Sequence, residues 1–180
     1  MTIAMRYGLV LLIFIGAIAG ADTTSNAAKV QVLFTPGDNI ASVIVQAIRD
    51  AKHSVRVQSF NFTNKAIGRA LQDAQRRGIE VSILADQEQF EKGAAFVVRD
   101  LKAAGIQVKL DGAHRAAHNK IMLIDDDGIN PKIITGSFNF TQAAQKSNAE
   151  NIVLIHNDKV LAQAYRDNWQ QHWQHSIAIE

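Results

Sequence analysis

The sequence predicts an α/β domain in which helices flank both faces of a mixed β-sheet. Apolar runs typical of strands alternate with amphipathic helical segments along most of the chain. Capping and turn residues separate these runs, with Pro36-Gly37-Asp38 before the first helix and Gly78 and Gly105 after later ones. The 180 residues contain 47% hydrophobic and 20% charged side chains, which is ordinary for one globular domain.

The order of the predicted elements changes between the two halves of the chain. Strands are predicted at 30–34, 55–62, 81–85, 108–110, 121–124, 132–135 and 152–155. Helices are predicted at 40–51, 65–77, 94–104 and 158–175. Helices follow the first three strands, whereas Asp125-Asp126-Asp127-Gly128 predicts the turn of a hairpin in the second half.

Residues 1–21 have the layout of a secretory signal peptide. Arg6 precedes an apolar run from Leu9 to Ile18, and Ala19 and Ala21 permit cleavage after Ala21. The alternative is an uncleaved anchor, but the uncharged stretch is shorter than the roughly 20 residues of a bilayer span. We therefore expect residues 22–180 to be a periplasmic or secreted domain, or else an N-terminally membrane-anchored one.

Composition excludes several kinds of site. The chain has no cysteine, so disulfides, thiolate zinc sites, iron–sulfur clusters and cysteine nucleophiles are ruled out. The net charge is only +2, so a polyanion site must come from local clustering. His114 and His118 have the spacing of a helical zinc pair, but no His-Glu-x-x-His pattern accompanies them and no metal site is predicted. The other histidines are expected at the surface or at helix ends.

A five-residue segment occurs twice. Ser-Phe-Asn-Phe-Thr stands at 59–63 and again at 137–141, and both copies end a predicted strand and lead toward a helix. Aromatic-rich strand ends can also converge on similar letters by chance. Because ligands of α/β folds bind at the carboxyl edge of the sheet, the functional interpretation has both loops lining one cleft. The cleft would be walled by Phe60, Phe62, Phe138 and Phe140, with Phe60 and Phe138 contacting substrate.

The segment from His118 to Asp125 carries the strongest chemical signal. If it forms a strand, its period of two places His118 and Lys120 on one face. Asp125 then faces the opposite way and begins the turn, which predicts a structural role. An imidazole and an ammonium group are therefore expected to share one space.

Three further residues complete a phosphoryl-transfer set. Ser137 and Asn139 lie two residues apart and can converge on an oxyanion, and Glu150 can fix the tautomer of a histidine. A neutral imidazole can attack phosphorus while Lys120 and Asn139 neutralise the phosphoryl oxygens, so no metal or other cofactor is required. A general acid is missing from one chain, and a twofold homodimer would supply it as a second copy of His118.

These residues resemble the phospholipase D superfamily, in particular its small single-motif bacterial endonucleases. The resemblance rests on His118-x-Lys120-x4-Asp125, then Gly136-Ser137-x-Asn139, then Glu150-Asn151, and covers nearly the whole chain after the leader. It implies that His118 is the nucleophile and its symmetry mate the general acid. It also implies that Lys120, Asn139 and Ser137 hold the phosphate, that Glu150 orients His118, and that the site lies on the axis of a homodimer.

The leading hypothesis is a metal-independent, nonspecific endonuclease that hydrolyses DNA, and RNA as a further candidate, through a phosphohistidine. Lys65, Arg69 and Arg115 are expected to bind phosphates of the nucleic acid, although a solvated helix face also explains such residues. A phospholipase D acting on phosphatidylcholine-type lipids is the second hypothesis, because the chemistry at phosphorus is the same. A noncatalytic nucleic-acid-binding protein with the same fold is the third.

Overall fold

The computed structural model describes residues 27–179. Its strands are β1 (Lys29–Thr35), β2 (Ser54–Ser59), β3 (Glu80–Asp86), β4 (Gln107–Asp111), β5 (Lys120–Ile124), β6 (Lys132–Gly136), β7 (Glu150–His156) and β8 (Ile177–Ala178). Its helices are α1 (Ile40–Arg49), α2 (Lys65–Arg76), α3 (Gln87–Glu91), α4 (Phe96–Ala103), α5 (Gln142–Lys146) and α6 (Lys159–His175). The predicted signal peptide, residues 1–21, lies outside the described residues.

All eight strands form one sheet in the order β1-β7-β6-β5-β2-β3-β4-β8. The β2–β3 and β3–β4 pairs are parallel, and the other pairs are antiparallel. The parallel pairs are connected through α2 and through α3 and α4, as parallel strands require a crossover. The predicted mixed sheet is confirmed.

Helices cover both faces of the sheet, as predicted. On one face α1, α2 and α4 bury Ile44, Ile67 and Leu101 against strand residues such as Val57 and Ile83. On the other face α6 covers a smaller core around Leu123 and Ile133 with Ala162 and Trp169. The two cores come from the alternation of side chains along the strands between them.

The short elements α3, α5 and β8 were not predicted, because five or two residues carry too little periodicity to be recognised. Both short helices are nevertheless fixed by side-chain caps. Asp86 accepts a hydrogen bond from Gln89 N at 2.8 Å, and Thr141 accepts one from Ala144 N at 3.1 Å. Within residues 27–179, no helix combines the length and apolar character needed to cross a bilayer.

Asp125 joins the end of β5 to the start of β2. Its carboxylate accepts backbone hydrogen bonds from Lys52, His53 and Ser54 at 2.7–3.1 Å, and its own backbone N–H donates to Ser54 O. Asp125 has a positive φ of 51°, a conformation that Asp tolerates better than most residues. The structure therefore places this carboxylate in the turn, where it satisfies three backbone donors at the start of β2.

Candidate active site

The chemically active residues meet at one edge of the sheet, where β2 and β6 end and β5 and β7 begin. The strand predicted at 121–124 is confirmed as β5, which begins at Lys120, so His118 lies in the loop before it and the strand parity considered for 118–125 does not extend to His118. Phe60, just after β2, donates its backbone N–H to Asn119 O at 3.1 Å. This contact ties the first repeated segment to the loop that carries His118.

The two repeated segments lie side by side at this edge. Phe62 and Phe140 form a parallel bridge, and the backbone N–H groups of Thr63 and Asn64 donate to Phe140 O at 3.0 and 2.9 Å. The rings of Phe62 and Phe140 are 5.6 Å apart between centroids and are buried. The repeat therefore builds a packed joint between two loops of the sheet edge.

The prediction that four phenylalanines wall a cleft is wrong for three of them. Phe62, Phe138 and Phe140 are at most 1% exposed and belong to the main core, because the chain turns inward after β2 and β6. Phe138 therefore has no exposed surface with which to contact substrate. Phe60 is partly exposed, and its ring centroid lies 4.4 Å from that of His118.

His118 and Lys120 share one space, as predicted. Lys120 Nζ lies 2.9 Å from His118 Nδ1 and donates to His118 O at 2.5 Å. The same ammonium group lies 5.0 Å from the centre of the Phe60 ring, within the range of a cation–π contact. Because an ammonium group can only donate, Nδ1 is the acceptor and a neutral His118 carries its proton on Nε2.

Lys120 is buried although its side chain is cationic. Burial lowers the pKa of Lys120 from 10.5 to about 8, and the nearby negative charge of Glu150 opposes that shift. His118 in contrast is exposed at the surface. The arrangement places a titratable cation beneath an accessible imidazole.

A second group of polar contacts surrounds Ser137. Its hydroxyl donates to Glu150 Oε2 at 2.6 Å and accepts from Asn151 N at 3.1 Å. Glu150 Oε1 accepts from Asn148 Nδ2 at 2.9 Å. Ser137 and Glu150 are thus held as one hydrogen-bonded unit at the start of β7.

Gly136 permits this close approach between the end of β6 and β7. A Cβ at this position would lie 2.2 Å from Asn151 O, and its φ of 153° is one that other residues rarely adopt. The backbone N–H groups of Ser137 and Phe138 both donate to Asn151 O, at 3.1 and 3.3 Å. The glycine of the Gly-Ser-x-Asn segment is therefore required by the backbone.

Glu150 forms no hydrogen bond or ion pair with His118 within one chain. The carboxylate was expected to fix the tautomer of this histidine, but its hydrogen bonds go to Ser137 and Asn148, and Lys120 occupies His118 Nδ1. Asn139 is partly exposed, and its Oδ1 is buried without a hydrogen-bond partner among the described residues. These side chains are gathered at the sheet edge without all the contacts that the sequence suggested.

A cavity of about 430 Å³ opens beside His118 and Lys120. Thr135 and Gly136 of β6 line it on one side. Leu161, Ala164, Tyr165 and Asn168 of α6 line it on the other. The histidine and lysine therefore border a space with one largely apolar wall, and α6 was not among the elements expected to contribute to the site.

The predicted phosphate-binding residues are exposed, but they lie outside this cavity lining. Lys65 and Arg69 of α2 border a separate cavity between α2 and α4, of about 150 Å³. Arg115 lies in the loop before His118 and lines a cavity next to α3. These side chains are available to solvent at separate places on the surface.

Comparison with known proteins shows the family to which the chain belongs. The family described as "cardiolipin synthase, PLD-like domain" matches residues 44–173, which include His118, Lys120, Ser137, Asn139 and Glu150. This chain belongs to the phospholipase D superfamily. The family match, the fold and the relatives support an enzyme of this superfamily.

Three known proteins show what this superfamily member is similar to. The crystal structure of a phospholipase D family member, Nuc from Salmonella typhimurium, is similar with a TM-score of 0.79 and 31% identity, covering 86% of this chain and 99% of that one. A phospholipase D of Rickettsia typhi is 40% identical over 141 residues, which are 78% of this chain and 66% of that protein. A mitochondrial cardiolipin hydrolase of Xenopus laevis is 28% identical over 137 residues, or 76% of this chain and 62% of that protein.

The phospholipase D superfamily member also carries a histidine cluster that its sequence did not reveal. Asp111 ends β4, and its buried carboxylate lies 3.2 Å from His114 Nδ1, 2.6 Å from His172 Nδ1 and 3.2 Å from His175 Nε2. Burial acts to raise the pKa of Asp111, but the hydrogen bonds of the three histidines and of Ala113 N lower it to about 2. The spacing of His172 and His175 on one face of α6 was the available signal.

Proposed function

We propose that this protein is a metal-independent phosphodiesterase that acts as a nonspecific endonuclease on DNA, with RNA as a second substrate. The observation that carries the proposal is the pairing of the exposed His118 with the buried Lys120 at the mouth of a cavity. The pair provides a nitrogen nucleophile and a fixed positive charge, which are what phosphoryl transfer without a metal requires.

In the first step, His118 Nε2 attacks phosphorus and the bond from phosphorus to the leaving oxygen breaks. The resting hydrogen bond from Lys120 keeps the proton of His118 on Nε2, so attack requires the other tautomer. A bound phosphodiester draws Lys120 Nζ toward its oxygens and frees Nδ1 to take the proton. Substrate binding and nucleophile activation are thereby linked through one ammonium group.

The leaving oxygen must receive a proton, and one chain offers a single His-x-Lys motif. We propose that His118 of the partner subunit, protonated on both ring nitrogens, donates this proton from its Nε2 and keeps the proton on its Nδ1, in a homodimer with the site on its twofold axis. In the second step the same partner histidine takes a proton from water, which attacks phosphorus. The phosphorus–nitrogen bond breaks, and His118 is released.

The remaining polar residues stabilise charge. Lys120 and Asn139 stabilise the phosphoryl oxygens as negative charge develops, and Ser137 assists when its hydroxyl turns its proton from Glu150 to the phosphate. Glu150 holds Ser137 and favours the ammonium form of Lys120. We also assign to its carboxylate the support of an imidazolium at His118 once the site is assembled.

Exposed cations allow the proposed nuclease to bind the phosphates of a polynucleotide. Lys65, Arg69 and Arg115 are exposed and can each contact a phosphate, which adds salt-dependent affinity without sequence preference. The 31% identity with Nuc over nearly all of that chain supports this substrate class. Phe60 beside His118 offers a ring on which an adjoining base can stack.

A phospholipase D activity is the second candidate, and one observation favours it. Leu161, Ala164 and Tyr165 form an apolar wall beside His118, as an acyl chain or glycerol backbone would require. The 40% identity with a rickettsial phospholipase D points the same way. We propose DNA as the preferred substrate because, in addition to this wall, the chain has exposed cations on α2 and in the loop before His118 that can bind phosphates.

The deciding experiment incubates residues 22–180 in EDTA with plasmid DNA and, separately, with phosphatidylcholine vesicles. We expect cleavage of DNA and no release of choline. His118→Asn should lower the rate by at least roughly 10³-fold, since it removes the nucleophile, and should still retain DNA in a gel-shift assay. His53→Asn is the matched control, because His53 is exposed at the opposite end of β2.

Choline release without DNA cleavage would instead establish the lipid substrate. If DNA binding persists in the wild type but neither substrate is turned over, the protein is a noncatalytic binding protein of the same fold. We further propose that residues 1–21 direct the domain out of the cytoplasm, which cell fractionation of the full chain would test.

A further inference from the structure

The geometry points to a zinc-binding site, separate from the proposed phosphodiesterase chemistry, that clamps the loop carrying His118 to the end of α6. Its four ligands are Asp111, His114, His172 and His175, whose ligand atoms all lie within 4.8 Å of one another. Three imidazoles and one carboxylate are a ligand set that zinc accepts in tetrahedral sites. This site goes beyond the proposed function, because no step at phosphorus uses it.

The distances suit a cation of this size. Zinc bonds of about 2.0–2.2 Å place the ligand atoms of a tetrahedron roughly 3.3 Å apart. Asp111 Oδ1 is already 3.2 Å from both His114 Nδ1 and His175 Nε2. The imidazole rings lie 4.9–5.3 Å apart between centroids, so modest rotations close the shell.

Burial and exposure are divided among the ligands in a useful way. The side chain of Asp111 is 1% exposed, whereas those of His114 and His175 are 47% and 37% exposed. A rigid, buried carboxylate thus anchors the site while exposed imidazoles can move to meet a metal. The C-terminus of α6, which carries His172 and His175, adds partial negative charge that favours a cation.

An acidic cavity of about 210 Å³ gives a cation access to this cluster. It is lined by Glu88 and Glu91 of α3 as well as by Asp111 and His114. A metal ion would replace the protons on the three imidazole nitrogens that face Asp111. The ligand atoms would keep their orientation toward one point. Imidazole nitrogen with one carboxylate oxygen favours zinc over calcium or magnesium, which prefer oxygen ligands.

The position of the cluster explains what the metal would do. Ala113 N and Ala117 N are bound by the buried carboxylates of Asp111 and Asp86, at 3.1 and 2.7 Å. A zinc ion shared by His114 and α6 would fix the same loop at a third place, four residues before His118. The metal would therefore be structural and would position the nucleophile without contacting substrate.

The test measures zinc binding directly, on the untagged mature chain after removal of metal with a chelator and dialysis. We expect one zinc per chain by calorimetry and an intense visible spectrum typical of tetrahedral cobalt when Co²⁺ replaces zinc. The melting temperature should rise by roughly 5–10 °C when the free zinc concentration is about 100 times the dissociation constant.

His175→Ala should weaken zinc binding at least about 10-fold and abolish the tetrahedral cobalt spectrum. His175 is exposed at the end of α6, so its replacement should leave the protein folded. Circular dichroism checks this. Asp111→Asn provides a second variant, and His156→Ala, outside the cluster, is the matched control. Substoichiometric zinc in the wild type, or equal zinc binding by wild type and His175→Ala, would overturn the proposal whatever the nuclease assay shows.

Discussion

Lys120 Nζ lies 2.9 Å from His118 Nδ1, whereas the Glu150 carboxylate that was expected to fix the tautomer of this histidine bonds to Ser137 and Asn148. The contact selects the Nε2–H tautomer of a neutral His118, in which Nε2 has no lone pair with which to attack phosphorus. When Lys120 Nζ moves to a phosphate oxygen, Nδ1 is free to carry the proton. Nε2 then has the lone pair that attacks phosphorus. Both proposed roles of this histidine in a dimer require a proton on Nδ1, so both depend on this displacement of Lys120.

The pH dependence of activity should report Lys120. Its pKa is lowered by burial to about 8, so its ammonium group loses its proton as the pH rises through that value. Because the charged form binds phosphate, kcat/KM should fall about tenfold per pH unit above that point. Steady-state rates from pH 6 to 10 on a short labelled oligonucleotide would measure this limb.

Lys120→Arg separates this explanation from others. An arginine stays charged across the range, so the descending limb should disappear even if the maximal rate is lower. Lys65→Arg, at an exposed lysine of α2, should leave the limb unchanged. An unaltered limb in Lys120→Arg would assign the titration to another group.

A shared site requires that the protein work as a dimer. Light scattering on a sizing column should give twice the mass of residues 22–180. Heterodimers with one His118→Asn subunit should be almost inactive, because each site needs both histidines, whereas independent sites would keep roughly half of the activity. A fully active monomer would refute the shared-site mechanism.

Asp125→Ala should destabilise the fold with little direct effect on chemistry. The substitution leaves the backbone N–H groups of Lys52, His53 and Ser54 without their acceptor. We expect the free energy of unfolding to fall by about 2–4 kcal/mol, measured by urea denaturation. Asp127→Ala, at an exposed position of the same turn, should change it by less than about 0.5 kcal/mol.

Gly68→Ala should test the contact between α2 and α4. A Cβ at Gly68 would lie 2.6 Å from Val97 Cγ1, so overpacking should cost about 1–3 kcal/mol despite the better helix propensity of alanine. The double variant Gly68→Ala/Val97→Ala removes the clash. It should lose less stability than the sum of the single changes, and strict additivity would show that the two residues do not interact.

Most of the fold could be predicted from the sequence, because the strands and longer helices carry clear periodicity. The hairpin after Asp125 and the helices on both faces were anticipated from these patterns and their capping residues. The short elements α3, α5 and β8 were missed, since such short elements depend on caps and on tertiary pairing.

Prediction of the site was less complete, for a different reason. The two-residue spacing correctly predicted that His118 and Lys120 meet, although His118 lies in the loop before β5 and only Lys120 belongs to the strand. Spacing could not show that Phe138 turns into the core or that Glu150 bonds to Ser137. Those outcomes depend on how loops from different strands pack at the sheet edge.

The sequence by itself determined the order of elements, the pairing of His118 with Lys120 and the resemblance to the phospholipase D superfamily. All three follow from local spacing, which the chain fixes before it folds. Only the tertiary structure decided that α6 lines the cavity beside His118 and that the distant His172 and His175 converge with His114 on Asp111. Burial of Asp111 and the docking of α6 across the sheet create these contacts, and no pattern within a single element encodes them.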